Sequence, residues 1–173
     1  MSGGEDVKQE IASKKSLIMI LDLLEHLKIR YWVDGGWGID VLIGKQTREH
    51  RDVDIDFDAE FEPQLLMRLE EIGYRITTDW RPSRVELYHP DHGYIDIHPF
   101  VITETGAIKQ AKPEGGWYHF ESGWFCEAVF EGRTIPCISV EGQRIFHSGY
   151  ELRAVDLTDL GRLAEVFPEK QER

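Results

Sequence analysis

Residues 51–58 read RDVDIDFD, with an aspartate at every second position. Strand side chains alternate between two faces, so this pattern predicts a strand with apolar residues in a core and carboxylates on the opposite face. The apolar residues are Val53, Ile55 and Phe57, and the acids are Asp52, Asp54, Asp56 and Asp58. Like charges about 6.5–7 Å apart repel one another, so the row predicts a positive partner.

A second acidic strand indicates that this partner is a divalent metal. Asp96 lies in YIDIHPF, residues 94–100, between two isoleucines, and so faces the polar side. Paired strands lie about 4.7–4.9 Å apart, which predicts Asp96 between Asp52 and Asp54. Three carboxylates are typical of Mg²⁺ carrying a phosphate chain. We therefore predict that Asp52, Asp54 and Asp96 are catalytic and bind one or two Mg²⁺ ions.

Two other metal sites fit the sequence poorly. An EF-hand needs glycine at its sixth position and glutamate at its twelfth, where this chain has Phe57 and Pro63. His89, His92 and His98 lack the spacing of a zinc site.

Two segments ahead of the acidic strand predict a nucleotide site. In DGGWG, residues 34–38, two glycines lead from a strand into a helix, whose N-terminal amides can bind phosphate. GKQTREHR, residues 44–51, supplies cations. The predicted nucleotide-binding residues, for ATP or another nucleoside triphosphate, are Gly35, Gly36, Lys45, Arg48, His50 and Arg51.

Hydrophobic periodicity and turn residues predict an α+β fold, in which helices pack on a mixed sheet. Helices are predicted at 16–28, 37–43, 63–72, 140–147 and 156–166, and strands at 30–33, 51–58, 74–80, 84–89 and 94–100, with a hairpin about residues 131–132. Residues 112–116 are predicted to be a loop. We expect a flexible segment at 1–14 and one domain at 15–173 that ends in the hairpin and two helices.

Charge and hydropathy narrow the range of partners. The formal net charge of −12 disfavours nucleic acid, whose phosphates require basic patches. No apolar run approaches the roughly 18 residues of a membrane helix, and the N-terminus lacks a signal-peptide pattern, so we expect a cytoplasmic protein. Cys126 and Cys137 are expected to be reduced, although a bridge across a hairpin stays open.

The run DGGWGIDVLIGKQTREHRDVDIDFD resembles the signature of the small antibiotic nucleotidyltransferases of the polymerase-beta-like superfamily. With MRLEEIGY, RPSRVELYH, GYIDIHP, PEGGWY, IPCIS and FHSGY, residues 16–167 are similar to the lincosamide nucleotidyltransferases of the short type. The resemblance implies the nucleotidyltransferase fold. It also implies transfer of AMP, or another nucleoside monophosphate, from a Mg²⁺-bound triphosphate to a hydroxyl of lincomycin or clindamycin, with release of pyrophosphate.

The resemblance also implies roles for individual residues. Asp52 and Asp54 match metal ligands, and Asp96 matches a third acid that binds metal or takes the proton of the acceptor hydroxyl. Gly35 and Gly36 match a turn that contacts phosphate.

The acceptor site is predicted less directly. Glu86 is expected to bind a sugar hydroxyl or the lincosamide amine, and Trp80 and Trp117 to wall the antibiotic, with Tyr118 and Trp124 as further candidates. Asp56 is expected either to support the metal ligands without binding the metal itself or to be solvated. Asp34 and Asp40 are each expected to be a helix cap or a surface charge.

Two alternative functions stay open. An aminoglycoside nucleotidyltransferase would use the same chemistry on a more highly charged acceptor, which the net charge also suits. A protein of the same fold could instead act as an antitoxin or bind a protein partner. The sequence leaves the oligomeric state open and is compatible with a homodimer.

Overall fold

A computed structural model describes residues 10–169. The helices are α1 Lys14–His26, α2 Gly35–Ile43, α3 Glu62–Ile72, α4 Val140–Phe146 and α5 Ala154–Val166. The strands are β1 Tyr31–Asp34, β2 Asp52–Asp58, β3 Arg75–Trp80, β4 Arg84–His89, β5 Gly93–Ile102, β6 Ile108–Ala111, β7 Trp117–Phe120, β8 Phe125–Phe130 and β9 Arg133–Ile138. None of the five helices in this part of the chain has the length and apolar character needed to cross a membrane.

The strands form one mixed sheet in the order β3-β4-β5-β2-β1-β9-β8, which confirms the predicted α+β class. β2 runs parallel to β5, and β1 runs parallel to β9, while the other neighbours in this order are antiparallel. A hairpin of β6 and β7 continues from the end of β5. The acidic strand β2 therefore lies near the centre of the sheet.

The alternation of β2 separates its two faces as predicted. Val53, Ile55 and Phe57 are fully buried and pack in the main core with apolar residues of α1 and α3. The aspartates alternate onto the opposite face, where Asp52 and Asp54 line a cavity. Burial of the apolar face thus fixes which way every carboxylate of β2 points.

Glycines and Asp34 set the ends of α2 and α3. The Asp34 side chain accepts a hydrogen bond of 2.7 Å from the Gly35 N–H and so caps α2. Gly44 follows α2 with φ +93°, and Gly73 follows α3 with φ +118°, as the sequence predicts. Both are left-handed conformations that glycine adopts without strain.

Two regions differ from the sequence predictions. The hairpin of β6 and β7 flanks the predicted loop at 112–116, and its short strands were not predicted because each has only four residues. Of the segment expected to be flexible, residues 1–9 lie outside the described residues. Further along that segment, Ala12 is buried, its N–H donates to His50 O at 2.8 Å, and α1 already begins at Lys14. The packed chain therefore starts before residue 15.

Candidate active site

Four carboxylates lie in one row across four adjacent strands. Asp34 of β1 lies opposite Asp54 of β2 in the strand register, and Asp54 lies opposite Asp96 of β5. Asp96 in turn lies opposite Glu86 of β4. Together with Asp52 they line a cavity of about 440 Å³. The structure therefore brings together the three predicted catalytic aspartates and Glu86.

The position of Asp96 differs in detail from the prediction. It lies directly opposite Asp54, rather than between Asp52 and Asp54, because β2 and β5 pair in parallel with Val53 opposite Ile95. Since both apolar residues are fully buried on the core face, their pairing sets the register of the acids on the other face.

Two cationic side chains contact the centre of this row. Arg84 Nε lies 3.1 and 3.2 Å from the two carboxylate oxygens of Asp96. His98 Nε2 lies 3.6 Å from Asp54 Oδ1 and 3.7 Å from Asp96 Oδ1. Arg84 therefore orients Asp96, while His98 bridges the two strands.

A third cation lies at the outer end of the site. Arg51 Nη1 is 3.7 Å from Asp52 Oδ2 and 3.4 Å from Glu86 Oε2. Its guanidinium also lies 3.8 Å from the ring centroid of Tyr94. These contacts hold Arg51, one of the predicted nucleotide-binding cations, at the cavity beside Asp52.

Burial and neighbouring carboxylates raise the pKa values of three aspartates at the site. Burial and then the nearby Asp54 charge raise the pKa of Asp52 to about 7. Burial also raises the pKa of Asp54 and of Asp96. Burial alone would lower the pKa of His98. The hydrogen bond with Asp54 and the charges of Asp96 and Asp54 outweigh this effect and raise the pKa of His98 to about 9. Such a site favours an added cation.

The donor set fits a divalent metal ion. Asp54, Asp96 and His98 each offer one ligand atom, and these atoms lie within 4.8 Å of one another. Asp52 is two residues before Asp54 on the same face and lines the same cavity. Carboxylate oxygens are the ligands that Mg²⁺ prefers, so the aspartates fit the predicted ion better than His98 does.

The glycine turn lies against the carboxylate row. Gly35 and Gly36 both line the cavity. A Cβ on Gly35, whose φ is +61°, would lie 2.1 Å from Asp54 Oδ2, and a Cβ on Gly36 would lie 2.4 Å from Arg48 Nη2. The close approach of α2 to β2 therefore requires glycine at position 35, whereas Gly36 lies against the side chains of Arg48 and His50. The place of both glycines at the N-terminus of α2 supports the predicted contact with phosphate.

The predicted cations of residues 44–51 divide into two groups. Arg48 and Arg51 line the cavity, with Arg48 Nε and Nη2 bound to the two oxygens of Asp159 in α5 at 2.7 and 2.8 Å. His50 is only 2% exposed and does not line the cavity, because its Nε2 lies 2.6 Å from buried Asp40. Exposed Lys45 faces a separate cleft, so the structure does not bring it to the site.

The two tryptophans predicted to contact the acceptor line neither this cavity nor the apolar one beside it. Trp80 is 57% exposed and lies beneath Arg84, whose guanidinium is 4.7 Å from the ring centroid. Trp117 is 42% exposed on the edge strand β7, beside Lys109 Nζ at 4.2 Å. Because strand faces alternate, the next residue, Tyr118, lies on the other face of β7, where it lines an apolar cavity while staying 45% exposed.

A second cavity of about 500 Å³ adjoins the first and is mainly apolar. The two cavities share Asp34, His98, Phe146 and Tyr150. The aromatic side chains that line the second cavity include Phe100, Tyr118, Phe120, Trp124, Phe146 and Tyr150.

Asp56 also lines this cavity and is 1% exposed, so the expectation that it is solvated is wrong. Burial, followed by the charge of Asp34, raises the pKa of Asp56 well above its usual value.

Sequence reasoning missed several residues of the site. His98 and Arg84 share the face of the predicted acids, two residues after Asp96 and two before Glu86, so the same alternation could have identified them. His147 and Arg153 also line the cavity, from either side of a loop between α4 and α5. No local sequence pattern identifies them, because they reach the cavity only through the tertiary packing that places this loop beside the sheet.

Sequence comparison finds similarity to antibiotic nucleotidyltransferases and resistance proteins. The family model described as aminoglycoside-2''-adenylyltransferase matches residues 16–163. A lincosamide resistance protein of Staphylococcus haemolyticus is 52% identical over 160 residues, which cover 92% of this chain and 99% of that protein. A 2''-aminoglycoside nucleotidyltransferase of Klebsiella pneumoniae is 35% identical over 130 residues, covering 70% of this chain and 65% of that protein.

Solved structures show the same fold. The lincomycin-bound crystal structure of the lincosamide antibiotic adenylyltransferase LnuA matches with a TM-score of 0.87 and 52% identity, over 90% of this chain and 99% of that chain. The crystal structure of ANT(2'')-Ia in complex with adenylyl-2''-tobramycin matches with a TM-score of 0.66 and 21% identity, over 88% of each chain. The latter likeness concerns the fold alone. The predicted family and fold are confirmed: this chain belongs to the antibiotic nucleotidyltransferases of the aminoglycoside-2''-adenylyltransferase family, in the nucleotidyltransferase superfamily.

Proposed function

We propose that this protein transfers the AMP group of ATP to a hydroxyl of a lincosamide such as lincomycin or clindamycin, releasing pyrophosphate and inactivating the drug. The observation that carries the proposal is the row of four carboxylates at the junction of a polar and an aromatic cavity. The 52% identity to a lincosamide resistance protein and to LnuA supports a lincosamide as the acceptor.

The nucleotide binds on the polar side of the row. The N-terminus of α2 at Gly35 and Gly36 offers backbone N–H groups to the phosphates. Arg51 and Arg153 line the same cavity and add positive charge, and Arg153 is largely exposed there. Arg48, already paired with Asp159, mainly fixes the position of α5 at the cavity.

Asp52, Asp54 and Asp96 would hold one or two Mg²⁺ ions. When bound, Mg²⁺ neutralises negative charge on the α-phosphate and on the pyrophosphate that leaves. The raised pKa values of these aspartates are consistent with carboxylates placed to share a cation.

Asp96 is the residue we assign to the proton of the acceptor hydroxyl. Arg84 Nε lies within hydrogen-bond distance of both carboxylate oxygens of Asp96 and so fixes its orientation toward the acceptor. Glu86, the register partner of Asp96, pairs with Arg51 Nη1 at 3.4 Å and is the residue we assign to contact with the acceptor. Positioning of the two substrates supplies the remaining rate enhancement.

We further propose that the enzyme acts in the cytoplasm on small molecules. Cytoplasmic ATP is the expected donor. In a reducing compartment, Cys126 and Cys137, whose Sγ atoms lie 3.7 Å apart across β8 and β9, are expected to be thiols. The net charge of −12 supports cationic small substrates over nucleic acid.

An aminoglycoside acceptor is the second candidate, supported by the matched family model and by the 35% identical relative. Mass spectrometry of lincomycin, clindamycin and kanamycin after incubation with the protein, Mg²⁺ and each of the four NTPs distinguishes the two, with Asp54→Asn as the inactive control. We expect the lincosamides to gain the mass of AMP. A gain on kanamycin alone would refute the proposed acceptor. A mass gain on none of the three would favour a protein substrate or a binding role.

A further inference from the structure

The apolar cavity beside the carboxylate row contains one acid that the proposed reaction does not use. Its aromatic lining residues include Phe100, Tyr118, Phe120, Trp124, Phe146 and Tyr150. Asp34 and Asp56 are the acids of this lining. Asp34 already accepts hydrogen bonds from Gly35 N–H at 2.7 Å and from Gln143 Nε2 at 3.3 Å. The unexplained group is therefore Asp56.

One oxygen of the buried Asp56 carboxylate has no hydrogen-bond donor among the described residues, and the neighbouring carboxylate of Asp34 adds negative charge beside it. Asp56 is 1% exposed, and its buried Oδ2 has no hydrogen-bond partner in the described part of the chain. His98, its register partner on β5, forms its ion pairs with Asp54 and Asp96 instead. A buried carboxylate oxygen without a donor is unfavourable, so this geometry calls for a donor supplied from the cavity.

The aromatic walls indicate what kind of donor fits. The ring centroids of Phe120, Trp124 and Phe146 lie 5.4–5.9 Å from one another and form a continuous apolar wall. Aromatic faces attract alkylammonium groups, which also supply an N–H donor and a positive charge to a carboxylate. A hydroxyl would satisfy the hydrogen bond alone.

We propose that Asp56 receives the protonated amine of the acceptor, and that this aromatic cavity selects acceptors whose cationic nitrogen is carried by an apolar group. This inference rests on the proposed function and adds the specificity-determining residue. Asp56 follows Asp54 by two residues on the same strand face, about 6.5–7 Å further along. An acceptor held by its amine at Asp56 therefore presents hydroxyls of its other end to Asp54 and Asp96.

The first test is Asp56→Asn, which keeps the shape and the acceptor oxygen but removes the charge. We expect KM for lincomycin to rise about 10- to 100-fold, with KM for ATP changed less than about threefold and with most of the effect on KM rather than kcat. Asp58→Asn is the matched control, because Asp58 lies on the same face of β2 outside both cavities. Equal KM values for lincomycin in the two variants would overturn the inference.

The second test changes the acceptor. An analogue of lincomycin in which an N-acetyl group replaces the basic N-methyl group has no cationic nitrogen. We expect the wild type to bind it about 10- to 100-fold more weakly than lincomycin in calorimetry, and Asp56→Asn to bind both within about threefold of each other. Recognition of a hydroxyl would leave the wild type without this preference and would refute the proposal.

These outcomes separate the inference from the proposed function. If the wild type adenylylates lincomycin but shows no preference for the amine, the inference fails and the proposed function stands. If the wild type modifies no lincosamide, the proposed function fails, and calorimetry with lincomycin and its acetyl analogue still decides the inference. A preference that depends on Asp56 supports it, and equal binding or no binding of the two compounds overturns it.

Discussion

Replacing Gly35 by alanine tests whether the glycine turn and the carboxylate row form one unit. The new Cβ would lie 2.1 Å from Asp54 Oδ2 and 2.9 Å from its Cγ. Relief of this overlap requires the Asp54 carboxylate to move by about 1 Å, because non-bonded heavy atoms do not approach so closely. A misplacement of that size in an active site costs on the order of 10²-fold in rate.

The same substitution also carries a conformational cost that must be separated from the overlap. Gly35 has φ +61°, and an alanine in the left-handed region costs about 1–2 kcal/mol. Overpacking against Asp54 adds about 1–3 kcal/mol. We therefore expect Gly35→Ala to lower the free energy of unfolding by about 2–5 kcal/mol and the rate of AMP transfer by about 100-fold.

Gly106→Ala supplies the control. Gly106 has φ +85°, and a Cβ built there meets no atom within 4 Å, so this variant carries the conformational cost without the overlap. Urea unfolding and the rate of adenylyl transfer are measured for both variants. If Gly35→Ala retains a rate within about threefold of Gly106→Ala, the turn does not position Asp54 and this reasoning is wrong.

Three further substitutions test other parts of the account. Arg84→Gln removes the guanidinium that holds Asp96, and we expect kcat to fall about 10- to 100-fold while KM for ATP changes little in steady-state assays. Hydrogen bonds from His50 and Thr47 outweigh burial and lower the pKa of Asp40, so its stabilisation is present above about pH 4 and is lost as the pH falls below that value. Denaturant unfolding at pH 3 and 5 should therefore show a smaller loss at low pH for Asp40→Asn than for the wild type. Trp117→Ala should change KM for lincomycin less than about twofold, because this half-exposed side chain lines neither cavity.

The sequence predicted the elements that carry the site because their signals are local. The alternation of β2, the glycines after α2 and α3, and the Glu131-Gly132 turn between β8 and β9 each follow from backbone chemistry within a few residues. Asp52, Asp54 and Asp96 were found by the same alternation, and the structure places them in one cavity. Their roles in metal binding and catalysis stay predictions.

The remaining residues depend on contacts between distant parts of the chain. Lys45 and His50 were predicted to bind nucleotide because they are close in sequence to the acids, but the fold places one at a separate cleft and pairs the other with Asp40. Arg153 reaches the site only because α5 packs beside α2. Of the neighbouring acceptor candidates Trp117 and Tyr118, Tyr118 lines the apolar cavity and Trp117 does not, because the β6–β7 pairing sets which face of β7 turns toward it.

The most direct test of the central claim is the rate of pyrophosphate release with lincomycin, ATP and Mg²⁺ for the wild type, Asp54→Asn and Asp58→Asn. Both aspartates lie on the same face of β2, but only Asp54 belongs to the carboxylate row that lines the cavity. We predict that the wild type and Asp58→Asn release pyrophosphate in step with adenylylated lincomycin, whereas Asp54→Asn is slower by about 10³-fold or more. A rate for Asp54→Asn within about tenfold of the wild type would contradict the assignment of this row as the catalytic centre.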